Sequence, residues 1–289
     1  MKISIGHSPS CLLRLYKAIK EERKLDVTLD FAHSAYVEPV VLLPLTQLCI
    51  EGLKRGFKIG YVPPTDKATN QYLEEVGWKD FVEQGYRLPV VFALPTRETT
   101  LPMWCVSKDY IYSYLQLTNQ YLKRIDSSKD WTGFEMVLKE LLNNVYDHAS
   151  DPGKEPAYVF AQYSNSREKL SLVISDIGIG LANKINLHRE NANEAALSTE
   201  DAVKKAFESG YSTKSVPTNR GLGLDNVASL VQSTKSVLHC YTGDLHMVVN
   251  KDGFCPQKTT FEPMGTLFHM ELNTKLLPSE GESDDELSW

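Results

Sequence analysis

The chain has 289 residues, 42% of them hydrophobic and 24% charged, ordinary for a globular protein and enough for one large domain or two modest ones. The net charge of −6 argues against a broadly basic nucleic-acid-binding surface and leaves room only for a local basic patch. No apolar run approaches the about 20 residues that span a bilayer, so no membrane partner is expected.

Met1-Lys2-Ile3-Ser4-Ile5 is followed by polar His7 and Ser8, which is not the layout of a signal peptide; a cytoplasmic location is expected. Leu25 to Phe31 alternates and predicts a strand. Val40 to Leu53 is apolar with helical recurrence, and Gly56 suits a helix stop. Phe57 to Val62 predicts a second strand, closed by Pro63-Pro64. Asn70 to Val76 predicts a second helix ended by Gly77. Strand, helix, strand, helix suggests a parallel βαβ unit. This layout resembles the STAS domain of anti-anti-sigma factors over roughly residues 1–90; a generic α/β domain fits the same pattern. STAS proteins carry a phosphorylatable Ser before the first long helix. This chain reads Tyr36-Val37-Glu38-Pro39 there, so the resemblance implies that the phospho-switch is missing.

Pro89, Pro95 and Pro102 mark a boundary, with Val90 to Leu94 as a candidate edge strand. A second segment starts near Ser107, a plausible N-cap for a helix over Tyr110 to Ile125. Trp131 to His148 predicts another long helix. Strands follow at Ala157–Tyr163 and Leu170–Ile174. A helix opens at Gly223-Leu224, a hairpin spans Ser236–Tyr241 and Leu245–Val249, and Gly265–Leu272 is the last strand. The tail from residue 276 is acidic. The five cysteines, Cys11, Cys49, Cys105, Cys240 and Cys255, form no C-x-x-C pair and read as reduced thiols.

Three polar islands interrupt the second segment. On the helix Trp131–His148, Glu140, Asn144 and His148 are spaced i, i+4, i+8 and share one face. Either that face is a solvated stripe, or it meets a polar ligand, since burial without partners costs roughly 1–3 kcal/mol per group. The second island, Asp176-Ile177-Gly178-Ile179-Gly180, follows an apolar strand. Its carboxylate suits an exocyclic amine, and its glycines allow close backbone approach. The same D-x-G-x-G pattern also occurs in turns and calcium loops. The third island runs Gly210-Tyr211-Ser212-Thr213-Lys214, then Arg220-Gly221-Leu222-Gly223-Leu224. Gly221 and Gly223 free backbone N–H groups ahead of a helix N-terminus, which favours an anion. Lys214 and Arg220 can neutralise phosphate, and Ser212 and Thr213 can donate hydroxyls. No G-x-x-x-x-G-K-S/T loop occurs in the chain.

In this order, over roughly residues 107–275, the islands resemble the ATP site of the superfamily of gyrases, heat-shock chaperones, histidine kinases and MutL proteins (GHKL). The resemblance implies an α/β (α+β) fold: a small N-terminal α/β domain at 1–100, a Bergerat-type sandwich at 107–275 with helices on one face of a mixed sheet, and a tail at 276–289. It implies that Asn144 holds Mg²⁺, that Glu140 is the general base, and that Asp176 reads the adenine amino group. Gly178 and Gly180 would line the base. Ser212, Thr213, Lys214, Arg220, Gly221, Leu222, Gly223 and Leu224 would hold phosphates under a mobile lid over 183–208. Thr266, in the Gly265-Thr266 pair, would close the adenine pocket. His148 resembles the histidine found here in anti-sigma serine kinases.

The cofactors so implied are ATP and Mg²⁺. No upstream helical hairpin carries a phospho-acceptor histidine, which argues against an autonomous histidine kinase. Three functions remain: an ATPase whose nucleotide state controls a partner or a conformational change, a serine/threonine kinase of anti-sigma type, or a nucleotide-binding regulatory scaffold. By analogy with the superfamily, a protein partner or a homodimer is expected.

Overall fold

The computed structural model describes the backbone of residues 1–21, 25–86, 99–148, 157–209, 211, 223–259 and 261–281, and the side chains of all of these except 146–148. The expected N-terminal α/β unit and the mixed α/β class are both present. Strands β1 (Lys2–Ser4), β2 (Asp26–Asp30) and β3 (Lys58–Val62) form a parallel sheet in the order β1-β2-β3. Helix α1 (Leu13–Lys20) connects β1 to β2, and α2 (Pro39–Lys54) connects β2 to β3. Helices α3 (Lys67–Glu75) and α4 (Trp78–Glu83) follow. Asp66 caps α3 by accepting from the Thr69 N–H at 2.7 Å.

A second sheet has seven strands in the order β4-β5-β6-β10-β7-β8-β9. These are β4 (Thr100–Val106), β5 (Ala157–Ser164), β6 (Lys169–Ser175), β7 (Val237–Thr242), β8 (Leu245–Asn250), β9 (Gly253–Lys258) and β10 (Thr266–Asn273). Every pairing is antiparallel, so the expected mixed sheet is corrected. Its strands are joined by hairpins and long returns, and none closes a parallel crossover within the sheet. The sheet begins at Thr100, ahead of the start expected near Ser107. Pro102 sits where the β4–β5 register slips between Leu101 and Trp104, a bulge that spares the ladder the missing N–H.

One face of this sheet carries α5 (Ile111–Ile125), α6 (Thr132–His148), α8 (Thr199–Ala206) and α9 (Leu224–Ser233), with α7 (Leu181–Asn191) packed on α8. Their core includes Trp131, Phe134, Leu138, Leu141, Val159, Ile174, Val227 and Phe268. The opposite face is also covered. Tyr158, Phe160, Val173 and Leu267 point the other way and join the N-terminal core with Val41, Leu45 and Trp78. Helix α2 packs on β5 and β6 from that side and on β3 from the other. A helix lying between two sheets is buried all round, and Val40 to Cys49 is buried without a break, apolar except for Thr46 and Gln47. Covering on both faces also explains why the first five residues of β5 are all buried. No described helix is long and apolar enough to cross a membrane.

Candidate functional site

Helix α6 buries Val137, Leu138, Leu141, Leu142 and Val145 in the core. Glu140 and Asn144 lie half-buried on a different side. The Asn144 side-chain Nδ2 is buried and makes no hydrogen bond among the described residues. An amide end left without a partner on burial normally costs about 1–3 kcal/mol. The helix packs across β5 and β6, the strand that leads to Asp176.

Asp176 is 7% exposed, immediately after β6. Its N–H donates to the Thr266 carbonyl at 3.0 Å, and its Oδ1 accepts from the Thr266 N–H at 3.1 Å. The Thr266 hydroxyl accepts from the Leu181 N–H at 2.9 Å, which ties the start of α7 to β10. The Gly178 N–H donates to the Met264 carbonyl at 2.9 Å. Asp176, Gly178, Gly180 and Thr266 are thus brought together in one corner. Two glycines make it possible. A Cβ on Gly265 would stand 1.8 Å from Asp176 Oδ1 and 2.7 Å from the Gly178 nitrogen. Gly180 has φ +81, and a Cβ there would stand 2.7 Å from Thr242 Oγ1. Burial first, and the charge of Asp176 second, push the Cys240 thiol up, so this cysteine is an inert core group. All five cysteines are free thiols.

Of the third island, Tyr211, Gly223 and Leu224 are described. Gly223 caps α9 in an extended conformation, and Leu224 is buried in the core. The Gly223 N–H donates to Asp225 Oδ1 at 3.1 Å, so this donor, expected to serve phosphate, is held by a carboxylate of the chain. Ser212, Thr213, Lys214, Arg220, Gly221 and Leu222 lie outside the described residues, as do the side chain of His148 and the strand expected at Val90–Leu94.

The segment expected to be a mobile lid contains two helices fixed by their own bonds. Ser198 caps α8 by accepting from the Asp201 N–H at 3.1 Å. Asn186 brackets Leu197 with bonds of 2.8 and 3.0 Å. Leu181, Ile185, Val203 and Phe207 belong to the core, so this cover is built into the domain.

Sequence reasoning passed over the residues that complete the corner from behind. Ser175 Oγ donates to the Thr266 carbonyl at 3.2 Å, and Thr242 fills the space that Gly180 leaves. The signal was the pairing of Ser175-Asp176 with Gly265-Thr266 across adjacent strands, which no local motif reveals. A cavity of about 290 Å³ opens beside Gly178 and Gly265, with Tyr16, Lys20, Arg55 and Glu262 in its wall. Glu262 accepts from Tyr16 Oη at 2.9 Å and from Lys20 Nζ at 3.1 Å, joining α1 to the loop before β10. These two bonds hold the Glu262 carboxyl below its ordinary range, Lys20 contributing most. No family model matches the chain, and no curated protein matches it.

Proposed function

We propose that the chain binds ATP with Mg²⁺ through a GHKL-type site and hydrolyses it, its nucleotide state controlling a partner or a conformational change. The observation that carries this reading is the buried corner of Asp176, Gly180, Gly265 and Thr266. A carboxylate held by a backbone N–H, in a space that admits no side chain at Gly265, is fixed in direction. Such a carboxylate suits an exocyclic amine, and so adenine in preference to guanine, which presents a carbonyl at the equivalent place.

Asn144 suits Mg²⁺ because its amide has a buried end without a partner among the described residues, and a half-turn of the amide exchanges nitrogen for oxygen there. Asn144 would hold the ion, which when bound supplies neutralisation of phosphate charge. Glu140, one turn earlier on α6, would orient and deprotonate the attacking water. Lys214 and Arg220 would bind phosphate oxygens. The Tyr16 and Lys20 bonds to Glu262 give helix α1 of the N-terminal unit a direct link to the loop that ends at Gly265. A serine/threonine kinase would use the same groups and differ in acceptor.

Turnover of labelled ATP with Mg²⁺ separates these outcomes. The expected result is phosphate released to water, lost in Glu140→Ala while nucleotide binding persists. Label retained on a protein partner favours the kinase. Equal turnover in Glu140→Ala would remove the base assignment.

A further inference from the structure

Away from the Asp176 corner, three strands bring three histidines and a glutamate to one face of the large sheet. His239 on β7 and His269 on β10 are directly opposed. Glu271 lies two residues along β10 and shares the face of His269. One ligand atom from each of His239, His269 and Glu271 lies within 4.8 Å of the others. His246 on β8 stacks on His239 with ring centres 5.1 Å apart, and His269 stacks on its other side at 5.4 Å.

Cross-strand stacking accounts for the rings. It does not account for a carboxylate at the same point, nor for the hydrogen bonds. His239 Nδ1 is bonded to His246 Nε2 at 2.9 Å, and His269 Nε2 to Ser171 Oγ at 3.0 Å. Each bond occupies one ring nitrogen; in the tautomers in which His239 Nδ1 and His269 Nε2 donate, the other nitrogen, Nε2 of His239 and Nδ1 of His269, carries the lone pair. Metal-ligating histidines are oriented in this way through their second nitrogen. His269 and Glu271 also line a cavity of about 420 Å³, which gives access and room for water.

We propose that His239, His269 and Glu271 form a binding site for a divalent transition metal, with Zn²⁺ the best match and water from the cavity completing its coordination. Two imidazoles and one carboxylate with an open position are a zinc donor set. Mg²⁺ is excluded by its preference for oxygen ligands, so the site is chemically separate from the nucleotide site. Lys169 Nζ now sits 3.2 Å from Glu271 Oε2. The metal takes over that carboxylate, and the half-exposed lysine turns to water at little cost.

The test uses the full chain carrying Cys255→Ser, which removes an exposed thiol from competition. After chelator treatment and dialysis it is titrated with Zn²⁺ against a chromophoric chelator, without nucleotide, and with Co²⁺ as a visible reporter. The expected result is one tight equivalent, undisturbed by excess Mg²⁺. Glu271→Gln and His239→Ala should each weaken it by about tenfold or more, and Ser171→Ala by about tenfold through lost orientation. Glu271→Gln is isosteric at a partly exposed side chain and keeps the fold, so its result is decisive. Absence of a tight equivalent in the parent chain, or unchanged affinity in Glu271→Gln, would overturn the proposal.

Discussion

Replacing Gly265 by alanine tests the corner on which the site is built. The added methyl would meet Asp176 Oδ1 at 1.8 Å, the Gly178 nitrogen at 2.7 Å and the Asp176 carbonyl at 2.8 Å. Two of these three atoms are backbone, so rotation of a side chain relieves only the first clash. Overpacking of this kind costs about 1–3 kcal/mol. Moving Asp176 away also breaks its bond from the Thr266 N–H, and a buried bond to a charged group is worth about 1.5–3 kcal/mol. The expected loss is therefore about 3–5 kcal/mol, large against the stability of a typical domain. Gly60→Ala is the control. A methyl on Gly60 would meet nothing within 4 Å, and this change should stay within about 0.5 kcal/mol of the parent or slightly stabilise. Urea unfolding followed by tryptophan fluorescence reads both, because Trp104 and Trp131 are buried in the core beneath α6. Gly265→Ala and Gly60→Ala unfolding at the same urea concentration would refute the reasoning.

Thr266→Val keeps shape and removes the hydroxyl that accepts from Leu181; calorimetry should show a loss of about 1–3 kcal/mol, and an unchanged melting temperature would mean the start of α7 is held elsewhere. Glu262 has a carboxyl held below its ordinary value of 4.5. A lowered folded value means that its contribution is present above the ordinary value and disappears as pH falls through the lowered one. Stability of the parent should therefore exceed that of Glu262→Gln at neutral pH, with the gap closing as pH falls below 4.5 and through the lowered value; a gap independent of pH would contradict the sign. Because Lys20 is exposed and Glu262 partly so, the gap should be small and should shrink with added salt. Asn144→Leu removes an amide whose Nδ2 is buried without a partner among the described residues; it should preserve or raise thermal stability while abolishing the Mg²⁺ dependence of nucleotide binding, and a large loss of stability would show the amide to be structural.

Much of this architecture is legible in the sequence, for physical reasons that differ from element to element. The βαβ unit is plain because β2 alternates and α2 ends at a glycine stop, and the β7–β8 hairpin because each strand buries alternate residues. Strand β1 is three residues long, too short for a period-2 signal. Strand β9 is an edge strand with Cys255, Pro256, Gln257 and Lys258 exposed, so it carries no hydrophobic alternation. In β4, Pro102 reads as a boundary, but the bulge at that point absorbs it. The covering of the second sheet face is hidden because it depends on long-range packing; its one local sign is the nearly continuous apolar run in the first half of α2. In the corner, Asp176 and Thr266 stand out as short motifs. Their reliance on Gly265, Ser175 and Thr242 emerges only when strands far apart in sequence are paired. The histidine cluster is invisible to spacing rules for the same reason, since His239, His246 and His269 come from three strands.

The most direct test of the nucleotide reading is equilibrium titration of the folded full chain with ATP and with GTP, both with Mg²⁺, in the parent and in Asp176→Asn. Saturable binding of ATP is expected, with weaker binding of GTP and an ATP affinity at least about tenfold lower in Asp176→Asn, the cost of exchanging an acceptor for a donor opposite the adenine amine. Folded protein that binds neither nucleotide, or an Asp176→Asn variant with the parent's ATP affinity, would contradict it.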